Sequence, residues 1–178
     1  MTIFVLGGLL IWEISRHALN GKPFQIHFFY GKPGSDVKPS DYYHAENLIG
    51  TYRIFTGPNI TTFSSRHSPS ADEEQHLSAG QISLSPVLAQ AYAKGLIPDD
   101  TFAAKDVVPA LSKQLNWRIT DAAGEEVPVQ TLTDKGKLRV AVVSRDVDPI
   151  LAGQEHTFPR YGEWNHWKDA TMGLMEAA

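Results

Sequence analysis

Cysteine is absent from the 178 residues, which excludes disulfides, thiolate metal sites and a cysteine nucleophile at once. Positive charge is also scarce: 16 Lys and Arg against 20 Asp and Glu leave a net charge of −4. No stretch forms a basic stripe, so nucleic acid is not an expected partner. The apolar run from Ile3 to Trp12 (IFVLGGLLIW) is about half the ~20 residues a membrane helix needs. No Lys or Arg precedes it and no small-residue cleavage site follows. Residues 1–9 therefore read as an apolar leading strand bent at Gly7-Gly8, with no membrane expected and a location either cytoplasmic or unknown. No G-x-G-x-x-G, P-loop or G-x-S-x-G elbow occurs, which removes support for nucleotide binding and for a serine hydrolase.

What is present is mainly β patterning on a chain long enough for one core, and residues 1–178 are expected to form a single domain. Leu10, Trp12 and Ile14 alternate with Ile11, Glu13 and Ser15, and a second arm, Phe24 to Tyr30, is rich in aromatic and β-branched residues. Asn20-Gly21 between them predicts a hairpin of these two strands. Lys32 to Asn47 reads as a polar connection over the surface, and Leu48 to Phe55 as a strand. Asn59 to Ala79 is polar, with a glycosylation-type triplet at Asn59-Ile60-Thr61, and reads as an exposed loop.

Gly80 to Leu84 predicts a strand, and Ser85-Pro86 opens a helix that Gly95 closes. Asp106 is placed to cap a second helix carrying Val108, Leu111 and Leu115. Strands are then predicted at Trp117–Thr120, Val127–Leu132 and Leu138–Val147, separated by short turns. Residues 148–178 form an aromatic tail without an evident strand. This order predicts an antiparallel β-sandwich, barrel-like, with one or two short helices inserted near residues 86–115.

Seven histidines raise a metal question, but none are three or four residues apart as a helical ligand pair would be. His17 and His27 would face each other across the predicted hairpin, a pair better read as scaffold than as a metal site, so neither metal nor cofactor is expected. Asp41, Tyr42, His44, Glu163 and His166 offer acid–base chemistry only if the fold brings them together.

Five ordered motifs carry a family resemblance. His17-Ala18-Leu19-Asn20-Gly21 with Phe24, Ile26, His27, Phe28, Phe29 and Gly31 resembles the opening of the C-terminal domain of fungal tyrosinases. The likeness continues through Leu48-Ile49-Gly50-Thr51 to Phe55, Leu115-Asn116-Trp117-Arg118 with the turn Ala123 to Pro128, Leu138 to Ser144, and Pro159-Arg160-Tyr161-Gly162-Glu163. The resemblance implies an antiparallel β-sandwich that follows a copper-binding catalytic domain and covers its active site until proteolysis. It also implies an aromatic placeholder over the copper pair; Phe55 matches best by position and Phe63 second, with a core role for Phe55 as the competing expectation. Where that family carries Cys-x-x-Cys, this chain reads Phe63-Ser64-Ser65-Arg66-His67, and the soft copper(I) ligands are gone.

Two functions are therefore expected. The first is a shielding or accessory module for a copper oxidase partner, which this chain cannot itself be. The second is a cofactor-free cyclase or isomerase of fungal secondary metabolism, holding a small molecule in an interior pocket. That second reading assigns catalysis to His17, His27 and Tyr43, and lines the pocket with Tyr30, Trp164 and Trp167. It requires a closed cavity of roughly 300 Å³ or more walled by Trp, Tyr and His.

Overall fold

Phe24, Ile26 and Phe28 alternate with His27 and Phe29 along one strand, and all five are buried. A strand apolar on both faces must be covered on both, and this dictates the architecture. A computed structural model describes residues 7–15, 18–55, 77–97, 104–133, 138–145, 147–148 and 160–168. In chain order these form β1 (Gly7–Ser15), β2 (Phe24–Tyr30), β3 (Leu48–Ile54), β4 (Leu77–Ser83), α1 (Ser85–Ala93), α2 (Ala104–Gln114), β5 (Leu115–Asp121), β6 (Glu126–Val127), α3 (Gln130–Thr133), β7 (Leu138–Arg145), β8 (Val147–Asp148), β9 (Arg160–Tyr161) and β10 (Asn165–His166).

Two four-stranded antiparallel sheets, β10-β7-β1-β4 and β3-β2-β5-β6, make the predicted sandwich, with β8 and β9 as a separate pair. Ile14, Leu138, Val140 and Val142 of the first sheet share one core with Phe24, Ile26, Phe28, Ile54, Trp117 and Ile119 of the second. Phe28 and Trp117, neighbours in register, stack with centroids 6.4 Å apart. Leu88 and Ala91 of α1 and Val107 and Leu111 of α2 pack into the same core, so the helical insertion belongs to the sandwich. Among the described residues the sheets do not close into a barrel.

Five expectations need correction. The arms joined at Asn20-Gly21 are not a hairpin: β1 pairs with β4 and β7, and β2 with β3 and β5. Each is interior to its own sheet, and the chain crosses between sheets through a 3-10 turn at Ala18–Gly21, with Leu19 at φ 48° and Gly21 at φ 76°. Gly21 supplies positive φ as expected, but a 3-10 turn redirects the chain where a two-residue reversal would fold it back. Val127–Leu132 is not one strand; β6 is two residues long and Pro128 is followed by the turn of helix α3. Helix α2 starts at Ala104, so Asp106 lies inside it, and Leu115 opens β5 instead of extending the helix. The tail does contain short strands, β9 and β10, the latter pairing with β7 at Ser144 and Val143. Residues 1–6 and all but the end of the loop expected at Asn59–Ala79 lie outside the described residues, and the end of that stretch, Leu77–Ala79, is not loop but the start of β4.

Candidate functional site

The connection between β2 and β3 is more than a surface loop. A 3-10 helix at Pro39–His44 lays Tyr42, 5% exposed, onto the outer face of the β3-β2-β5-β6 sheet. Its ring meets Phe29 edge-on at 5.4 Å and His27 at 5.6 Å. Its hydroxyl donates to Glu126 Oε2 at 2.8 Å, and Glu126 Oε1 lies 3.4 Å from Arg118 Nε. Burial, then the bond to Glu126, push the Tyr42 phenol up to about 12.

His27 lies at the centre of this cluster and is 1% exposed. Its Nδ1 is 3.0 Å from Thr51 Oγ1 on β3 and its Nε2 is 2.9 Å from Thr120 Oγ1 on β5. The hydroxyls can donate or accept, so they suit either charge state of the ring. Burial is the larger cause that lowers its pKa to about 4, and the nearby Arg53 guanidinium adds to it. A neutral imidazole with both nitrogens engaged and no solvent contact joins three strands and is poorly placed to exchange protons with a substrate. Among the described residues no three His, Cys, Asp or Glu side chains converge as metal ligands.

The other sequence candidates are dispersed. His17 and Phe63 lie outside the described residues, and β1 and β2 lie in different sheets, so no hairpin sets His17 against His27. Tyr43 is 52% exposed and packs against its neighbour His44. Tyr30 is half-buried, its phenol raised by burial, and it borders an open groove of about 300 Å³ with Leu96, Pro109, Ala110, Lys113 and Gln114. Trp164 and Trp167 belong to the other sheet: Trp164 lies under the Arg145 guanidinium at 4.6 Å, and Trp167 Nε1 donates to Ser144 Oγ at 2.7 Å. The Tyr42–Glu126 bond spans 84 positions and has no signature in the sequence; only the buried-face spacing of His27 and Phe29 points to a covering group.

The end of β3 is a different kind of place. Ile54 is 3% exposed and belongs to the core, while Phe55, the next residue, is 81% exposed. Alternation sets Arg53 on the side away from Ile54, and Phe55 follows directly beyond the end of β3. Arg53 Nε donates to Gln25 Oε1 at 3.2 Å on that outer face. Phe55 is thus an exposed aromatic ring just beyond the end of β3, not the core residue it could have been.

A profile of the family described as the tyrosinase C-terminal domain matches residues 12–142. Among solved structures, recombinant mushroom tyrosinase superposes with a TM-score of 0.63 at 18% identity, over 94% of this chain and 26% of that one. The apo-protyrosinase of Aspergillus oryzae gives a TM-score of 0.49 at 15% identity, over 90% of this chain and 20% of that one. No curated protein sequence matches the chain. At such identity the superposition speaks for the fold, and the chain spans about a quarter of the mushroom tyrosinase. With the profile covering most of its length, the chain belongs to the tyrosinase C-terminal domain family.

Proposed function

We propose that this chain acts as a single domain that covers the active site of a copper oxidase domain, with Phe55 as the ring presented to that site. The observation that carries this reading is the exposure of Phe55, 81% against 3% for Ile54 beside it. A large apolar side chain exposed at a strand end lacks the contacts that burial would give, and a partner's cavity would supply them. A ring seated there excludes substrate and water, and covalent attachment to the oxidase would raise its effective concentration further.

The cyclase or isomerase reading finds less support. The space between the sheets is filled by Ile26, Phe28, Trp117, Val140 and their neighbours. The groove beside Tyr30 is open and has no Trp or His in its wall.

The test uses copper-loaded catalytic domains of the tyrosinases encoded in the source genome, each prepared without a C-terminal region of its own. Adding this chain should suppress phenol oxidation by at least one of them, and Phe55→Ala should restore most of the lost activity. Unchanged rates across the whole panel with the wild-type chain would overturn the proposal.

A further inference from the structure

We infer that the outer face at the end of β3 is a two-part contact, in which Arg53 takes a carboxylate on the rim of the oxidase cavity that receives Phe55. The inference rests on the proposed shielding role and adds to it the charge that the partner must carry. Arg53 is exposed in the last residues of β3 and stands two residues before Phe55, roughly 7 Å away along an extended chain. Among the described residues it pairs with no carboxylate: the ion pair on this sheet belongs to Arg118 and Glu126. Its Nε is held by Gln25, on the neighbouring strand at the position directly opposite in register. That bond engages the Nε edge of the guanidinium, and among the described residues no carboxylate meets its terminal Nη groups.

A planar fork held in this way is half of a bidentate carboxylate contact, a geometry that lysine cannot reproduce. The buried imidazole of His27 feels the Arg53 charge, and among the described residues no carboxylate pairs with that guanidinium. In a chain of net charge −4, a cation that meets no described carboxylate, beside the most exposed large apolar side chain among the described residues, makes this face complementary to an acidic rim around an apolar hole. The ring would supply most of the buried area and the ion pair the orientation.

The inference is tested by titrating the wild-type chain, Arg53→Lys, Arg53→Glu and Phe55→Ala into the copper domain that the wild type inhibits best, at low and high salt. Arg53→Glu should weaken binding roughly tenfold or more, with Arg53→Lys in between, and the salt dependence of the wild type should flatten in Arg53→Glu. Arg53 is outside the core, so each variant should unfold cooperatively near the wild-type midpoint, and circular dichroism checks this. If Arg53→Glu binds like the wild type while Phe55→Ala relieves inhibition, the shielding role stands and the acidic rim is wrong. If no copper domain binds the wild-type chain, both fall together.

Discussion

The His27 ring reaches Thr120 on the next strand, Nε2 to Oγ1 at 2.9 Å, and both residues are 1% exposed. Thr120→Val keeps the shape of the side chain but leaves a buried ring nitrogen without its partner. An unmet buried polar group costs about 1–3 kcal/mol. Urea unfolding of Thr120→Val at pH 7 should show a loss in that range with an unchanged m-value. A change below about 0.5 kcal/mol would mean that the bond contributes little.

The same histidine sets a pH dependence. Its pKa is about 4 in the fold against 6.5 in the unfolded chain, so between these values the unfolded chain binds the proton and the fold does not. The fold is therefore at full strength with respect to this group above pH 6.5 and loses stability as pH falls towards 4, the loss reaching about 3 kcal/mol as an upper figure. The His27 ring resonances, followed by NMR, should titrate near pH 4. A midpoint near 6.5 would show that burial and Arg53 do not act as described.

Tyr42→Phe removes one hydrogen bond and keeps the ring that covers His27 and Phe29. Glu126 is 41% exposed and regains water when the phenol is gone, so the cost should be only about 1 kcal/mol. Absorbance titration provides a second check. The Tyr42 phenol ionises near 12, above the unfolded value of 10, so its stabilising effect persists below pH 10 and fades as pH rises towards 12. The tyrosine that ionises near 12 in the wild type should be missing from Tyr42→Phe, while Tyr30, raised by its own burial, still titrates late.

Most of the strands were legible because their faces differ. Leu138, Val140 and Val142 alternate with Arg139 and Ala141, and the structure buries the first three. Ser85-Pro86 and Gly95 bracket helix α1, with Pro86 in its first turn and Gly95 at φ 69°. Sheet membership was not legible. A period of two shows that β1 and β2 are strands, but both are interior strands, and their neighbours β4 and β5 come more than 60 residues later than β1 and β2 respectively. The cover over His27 was hidden for a related reason: Tyr42 looks like a loop aromatic until Glu126 and Phe29 are brought beneath it. At the candidate site, the sequence could name Phe55 by resemblance, whereas its exposure and the bond that orients Arg53 needed the fold.

Phe55 should matter to a partner and not to the fold. Its ring is 81% exposed, and exposed substitutions away from special features usually shift stability by less than about 0.5 kcal/mol. Phe55→Ala should therefore melt within a degree or two of the wild type. A loss of about 2 kcal/mol or more would place the ring in the core and remove it as a presented group.

The position of Phe55 depends in turn on how closely β3 rests on β4. A Cβ built on Gly50 lies 3.1 Å from Ile82 Cδ1 across the two sheets, so this edge is spaced for a glycine. Gly50→Val would drive two further methyl groups towards Ile82, and overpacking of this kind costs about 1–3 kcal/mol. Ile82→Ala makes room opposite, so the double variant should lose less than the two single losses combined, a coupling that a double-mutant cycle reads directly. Because Arg53 lies in β3 and Phe55 directly follows it, Gly50→Val should also weaken inhibition of the copper domain, and Ile82→Ala should recover part of it. Additive stability losses with no recovery would show that the Gly50–Ile82 approach does not set the seat of β3.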